Sequence, residues 1–176
     1  MTEKFWLKSY PAGVPATIDQ SRFRSLKDLA EQSFAQHPDR NAYVQMGRAI
    51  TFRQLDEQSR AFGAWLQEHV GLRKGGRVAI MMPNVLQYPI ALFGVLRAGG
   101  TVVNTNPLYT ARELEHQLHD SGAEVIVILE NFAHVLQEVL AKTHVKHIVV
   151  TSVGELLGFP KGNIVDYVVR HRRKAV

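Results

Sequence analysis

The sequence predicts an α/β protein built on a doubly wound, mostly parallel sheet with flanking helices, and three observations predict it. Short apolar runs at Arg77–Met82, Thr101–Asn104 and Val125–Leu129 are continuous rather than alternating, as expected of strands covered on both faces. Between them lie stretches with apolar residues at helical spacing, bounded by capping residues and glycines. With 176 residues, 45 % apolar and 21 % charged side chains, the chain can bury one sizeable core. About 70 % of the unfolded surface is buried at this length, so neither disulfide nor metal is required for stability.

Each element has a local reason. Met1 to Arg24 carries Pro11, Gly13 and Pro15 and little periodicity, so it should run extended over a larger body, pinned by Phe5, Trp6 and Tyr10. Ser25-x-x-Asp28 reads as a capping box for a helix with Leu26, Leu29, Ala30 and Phe34 at helical spacing, and Pro38 ends it. Ala42–Met46 and Ala49–Phe52 flank Gly47 as a hairpin. Thr51-x-x-Gln54 caps a second helix with Leu55, Phe62, Leu66 and Val70 inward, and Gly71–Gly76 turns the chain into the first long strand. Asn84 is expected to cap the next helix, with Pro89 in its first turn and Ile90, Phe93 and Leu96 inward. Gly99 and Gly100 stop it before Thr101–Asn104.

Thr110-x-x-Glu113 opens a helix through Leu114 and Leu118 to Gly122. After Val125–Leu129, Asn131–Lys142 reads as a helix and His147–Val150 as a last strand. The alternation of strand and helix predicts right-handed crossovers. Beyond Val153 the composition turns linker-like, with Gly154, Gly158, Pro160 and Gly162. Ile164, Val165, Val168 and Val169 then predict a short amphipathic helix with a basic end, which would lack a partner surface if the chain stopped at Val176. The expected division is an extended segment over 1–24, an α/β unit over 25–153, and a linker with basic tail over 154–176.

Composition excludes several functions. There is no cysteine, hence no disulfide framework, thiolate zinc site or Cys nucleophile. Five Lys or Arg from Lys161 onward (Lys161, Arg170, Arg172, Arg173, Lys174) against one acid, Asp166, account for +4 of the net +5. The remainder is nearly neutral and shows no basic stripe interleaved with aromatics, so nucleic acid is not an expected partner. The basic tail reads as a solvated chain end or, alternatively, as peripheral contact with an anionic membrane. No apolar run approaches the roughly 20 residues needed to span a bilayer, which points to a cytoplasmic protein.

Candidate chemistry is sparse. No Walker loop is present, and the glycine clusters Gly71–Gly76 and Gly99–Gly100 precede strands, so they read as turns. His116 and His119, with Glu115, have a metal-like spacing and no evident third ligand. Asn104, Asn106 and Tyr109 follow one strand and Asn84 and Tyr88 another, at the ends where open α/β sheets bind ligands. Turn formation and capping are the favoured explanation of the asparagines. Trp65 reads as core or subunit contact. No catalytic, cofactor-binding or metal residue is assigned.

The block Leu96-Arg97-Ala98-Gly99, Val102-Val103-Asn104-x-Asn106-Pro107-Leu108-Tyr109-Thr110-x-Arg112-Glu113-Leu114-Glu115-His116-Gln117-Leu118-x-Asp120-Ser121-Gly122-Ala123 closely resembles the N-terminal region of AMP-forming acyl-CoA synthetases. Bacterial long-chain fatty-acid-CoA ligases are the most similar. The resemblance runs from Trp6-Leu7-x-x-Tyr10-Pro11 to Val150 and, less clearly, through Val165-x-x-Val168-Val169; Gly76 departs from an Asp common in similar sequences. It implies part of the large N-terminal domain of an adenylate-forming enzyme, which joins a fatty acid, ATP and coenzyme A through an acyl-adenylate with Mg²⁺. The family's Ser/Thr/Gly-rich loop ending in Pro-Lys-Gly, its adenine pocket, hinge and C-terminal Lys have no counterpart. Phe159-Pro160-Lys161-Gly162 matches three letters only, without the preceding run and at the wrong position. The chain alone is therefore expected to be inactive, with no cofactor bound and a further domain to follow. A homodimer through the first segment and peripheral contact at the inner membrane stay open. The rival readings are a non-catalytic binding or assembly module and a flavodoxin-like nucleotide-binding domain.

Overall fold

A computed structural model describes residues 4–172 of the chain. Its order is α1 (Leu26–Gln36), β1 (Asn41–Gln45), β2 (Arg48–Thr51), α2 (Phe52–Glu68), β3 (Arg77–Met81), α3 (Gln87–Arg97), β4 (Thr101–Asn104), α4 (Ala111–Ser121), β5 (Val125–Leu129), α5 (Ala133–Val139), β6 (His147–Thr151) and α6 (Lys161–Tyr167). β1 and β2 form an antiparallel hairpin closed by Met46 and Gly47, both at positive φ. The other four strands form a parallel sheet in the order β4-β3-β5-β6.

Both faces of that sheet are covered, which is why its strands are apolar without alternation. Val78, Ile80, Val125, Val127 and Leu129 pack under α2 and α3 with Leu66, Ala91 and Val95. Ala79, Met81, Ile126 and Ile128 face the opposite way, against Leu114 and Leu118 of α4 and Leu136 and Val139 of α5. A third cluster fastens α1 and the hairpin to α2 and α3 through Ala30, Phe34, Ile50, Leu55 and Leu86. There the Phe34 and Phe93 rings meet edge to face at 5.3 Å.

The caps at α2 and α4 form as the sequence predicts. Thr51 and Gln54, and Thr110 and Glu113, each bond reciprocally, and Gly122 ends α4 in the left-handed region at φ 60°. Ser25 accepts from the Asp28 amide, but the Asp28 carboxylate turns back to the Arg24 amide, so this box is only half closed.

Two expectations here are corrected, those for Asn84 and for the aromatics of the first segment, and that for the inward face of α3 is extended. Asn84 is exposed and does not cap α3; the Leu86 amide donates instead to Gln45 Oε1 of β1 at 3.1 Å. Ile90 and Phe93 of α3 join the third cluster, while Gln87, Ala91, Gly94 and Val95 are the buried residues of that helix. The helix therefore has two apolar faces, because it packs on the sheet and on α1 together. Phe5, Trp6 and Tyr10 are not buried as anchors: they are 71, 46 and 43 % exposed, and Phe5–Ser9 is a short 3₁₀ helix.

The expected amphipathic helix is present as α6, extended by a π-helical turn over Val168–Arg172, and it does have a partner surface. Asp166 accepts from Ser152 Oγ and from the Gly154 amide, both at 2.7 Å. Arg170 grips Glu130, with Nη2 at 2.8 Å, and Lys161 donates to the Met46 carbonyl. Gly154 and Gly162, which read as linker, are crossing points: a Cβ on Gly154 would lie 2.2 Å from the Gly162 oxygen. Between α6 and the body runs an apolar groove of about 550 Å³ lined by Leu129, Phe132, Val153, Ile164 and Val168. Arg173 and Lys174 of the basic tail lie outside the described residues.

Candidate functional site

Ligands of open parallel sheets lie outside the carboxyl ends of the strands, where the strand order reverses. The chain leaves β3 toward β4 on one side and β5 toward β6 on the other, so the reversal falls between β3 and β5. The loop Met82–Leu86, the residues after β4 and Glu130–Phe132 surround this edge.

Two residues singled out from the sequence meet there. Tyr88, in the first turn of α3, donates its hydroxyl to Asn104 Oδ1 at 2.8 Å. Gln117 of α4 donates to the Asn104 carbonyl at 3.3 Å, so the corner joins β4 to helices on both faces. The Asn104 amide nitrogen and the remaining lone pairs of the phenol can recognise a polar group; neither is a nucleophile or general base at neutral pH. Asn106 is spent on the turn, where its Oδ1 accepts from the Leu108 amide at 3.0 Å. Tyr109 packs against the α4 side of the core, and Asn84 stands exposed within the Met82–Leu86 loop.

The remaining candidates do not converge. Glu115 pairs with Lys142 at 3.3 Å, and the His119 ring lies 5.4 Å from that of His144. Among the described residues no three metal-ligating side chains come together. Trp65 stacks on Phe62 at 5.9 Å on the outside of α2. Lys161 of the Pro-Lys-Gly triplet is engaged with the hairpin turn. The glycine turns lie at the ends of β3 and β4 away from this edge, and the Gly75, Gly76 and Gly100 amides are bonded to Gly99, Arg73 and Val95 carbonyls, so those glycines offer the edge no donors.

Sequence reasoning missed the second half of the edge. Glu130 follows β5 and holds Arg170 from 40 residues away, and it keeps that guanidinium charged above its ordinary range. Gln87 is buried, donates to the Ser152 carbonyl at 2.7 Å and leaves its Oε1 without a hydrogen-bond partner beside a cavity of about 180 Å³. A glutamine flanked by apolar residues within a helix was the one available signal.

A model of the AMP-binding enzyme family matches residues 30–170, which takes in both halves of this edge. The chain belongs to the AMP-binding enzyme family. A long-chain-fatty-acid–CoA ligase of Escherichia coli O6:H1 is 56 % identical over 99 % of the length of this family member, and that of Yersinia pestis 57 % over the same share. The ligase of Bacillus subtilis is 39 % identical over 91 % of the chain. The chain spans 31 % of the length of the first two relatives and 28 % of the third. Among solved structures, a long-chain-fatty-acid-CoA ligase from Archaeoglobus fulgidus superposes with a TM-score of 0.66 at 25 % identity, over 76 % of this chain and 29 % of that one. An anthranilate CoA ligase in complex with anthranoyl-AMP reaches 0.69 at 24 % identity, over 73 % of this chain and 25 % of that one, a likeness of fold.

Proposed function

We propose that this chain is the N-terminal portion of an AMP-forming long-chain fatty-acid–CoA ligase, whose intact form converts fatty acid, ATP and coenzyme A to acyl-CoA, AMP and pyrophosphate with Mg²⁺. The observation that carries the reading is identity of 56–57 % to ligases of that name across 99 % of the chain. The fold supports it by supplying a rigid parallel sheet whose carboxyl edge carries a polar corner. On this reading the described residues do not hold the nucleotide, since no glycine-rich loop among them follows a strand. Their role is scaffolding, with the adenylation machinery supplied by the rest of the enzyme. On this reading 25–153 is the α/β unit, flanked by the segments 1–24 and 154–176.

A cytoplasmic enzyme follows from the same reading, with peripheral contact at the inner membrane through the basic end and a homodimer through the exposed aromatics of the first segment. Among the described residues no helix is long and apolar enough to cross a membrane.

Pyrophosphate release with palmitate, ATP and coenzyme A tests the proposal on this chain and on a gene product extended beyond Val176. Fatty-acid-dependent release by the extended protein alone is the expected result. Turnover by the 176-residue chain would overturn the scaffolding role, and an extended product inert toward long-chain acids would overturn the substrate.

A further inference from the structure

The end of the sheet opposite the Tyr88–Asn104 corner holds a polar bowl of about 590 Å³. The turn from Val70 to Arg77, the residues entering β5 and those entering β6 form its walls. Four cations stand around it, Arg73, Lys74, Arg77 and Lys146, against one carboxylate, Glu124. Glu124 is spent on Lys146 at 2.8 Å. Among the described residues the side chains of Arg73, Lys74 and Arg77 have no hydrogen-bond or ion-pair partner. Lys146, followed by His144 and His147, holds the Glu124 carboxyl below its ordinary range, so the field here is positive.

Unpaired like charges sharing one mouth repel, and an anion between them removes the repulsion. The backbone offers donors too. The Leu72, Gly75 and Gly76 amides bond to carbonyls, whereas those of Gly71, Arg73 and Lys74 bond to nothing among the described residues. The floor is open: a Cβ at Gly71 or Gly75 would meet no atom within 4 Å. Three unpaired cations on one turn, with free amides between them, suit a tetrahedral group with several charged oxygens better than a planar carboxylate. No Phe, Tyr or Trp lines the bowl, whose one ring is His147, so it lacks the succession of aromatic platforms on which nucleic-acid bases would stack.

We propose that this bowl is a phosphate-binding site, taking a phosphomonoester dianion between Arg73, Lys74 and Arg77 with the amides of the Gly71–Lys74 turn. This site is independent of the ligase reading. Its chemistry is shared by a soluble phosphomonoester and by the headgroup of phosphatidic acid.

The test is an amide NMR titration of the chain with glycerol 3-phosphate at ionic strength held constant with chloride. Saturable shifts at Gly71, Arg73 and Lys74 are expected, and Arg73→Gln with Arg77→Gln should weaken binding by about tenfold or more, the size of one charge-assisted hydrogen bond. Lys74→Glu gives the same decision if that pair fails to fold, and Arg53→Gln, on α2 beside Asp39, should change nothing. Flotation with vesicles containing phosphatidic acid, competed by glycerol 3-phosphate and absent with phosphatidylcholine alone, assigns the lipid source; soluble binding without flotation assigns the free ligand. Shifts no different from those in chloride, or affinity unaltered by the bowl variants, would overturn the proposal.

Discussion

Arg97 shows how much a single side chain can tie together. Its side chain is 8 % exposed, and the guanidinium donates to the Asp56 carboxylate and carbonyl, lies 3.6 Å from Glu31, and covers the Phe34 ring at 5.4 Å. It thereby links α3 to α2 and α1. Removing one member of a buried pair costs about 3–5 kcal/mol. Asp56 keeps Arg60 as a partner at 3.1 Å and is 28 % exposed, so Arg97→Met should cost roughly 2 kcal/mol in urea unfolding. Burial pushes the Asp56 carboxyl up, but hydrogen bonds and charge from Arg97 and Arg60 outweigh it and hold the carboxyl below its ordinary value. A lowered folded-state pKa means stabilisation that is complete above the unfolded value, about pH 4, and lost as pH falls through the folded one. The stability gap between the wild type and Asp56→Asn should accordingly be widest at neutral pH and close on acidification below about pH 4, as urea midpoints across pH will register.

Gly154 is constrained by space rather than charge. A Cβ there would press on the Gly162 carbonyl and on the Asp166 carboxylate at 2.7 Å. Gly154→Ala should cost about 1–3 kcal/mol, typical of overpacking. It should also loosen α6, so tryptic cleavage within Lys161–Arg172 will accelerate beyond the fall in melting temperature.

At the scale of elements, helix starts are decided in two ways. α2 and α4 carry their own capping boxes, three residues apart, and need no neighbour to satisfy their first amides. Thr110→Val should cost about 1 kcal/mol while Thr110→Ser stays near wild type, read from urea midpoints. α3 has no side-chain cap of its own; Gln45, 41 residues earlier, serves it. That is why Asn84 misled: the helix starts three residues later, where tertiary structure brings a donor's partner. The tail was misread for a related reason. Its apolar spacing was visible, but the surface it packs on is assembled from Met46, Leu129 and Val153, far apart in the chain.

For the whole molecule, β5 is the keel. All five of its residues are buried, and it pairs with β3 on one side and β6 on the other. Its amides should exchange hydrogen only through global unfolding, while those of the β1–β2 hairpin, exposed along one side and paired only with each other, should exchange by local opening. Exchange of β5 and the hairpin at one common rate would contradict this layering.

What the sequence determined by itself was the alternation of elements, the caps of α2 and α4, and the parallel character of a sheet buried on both faces. These follow from hydrogen bonds and periodicities spanning a few residues. Its family-level likeness rested on a contiguous block of letters in the same way. Only the tertiary structure decided that Tyr88 would meet Asn104, that Glu130 would hold Arg170, and that Arg73, Lys74 and Arg77 would share one bowl. Such meetings depend on how strands are ordered and helices laid across them, which is fixed by the burial of the whole core rather than by any local run of side chains.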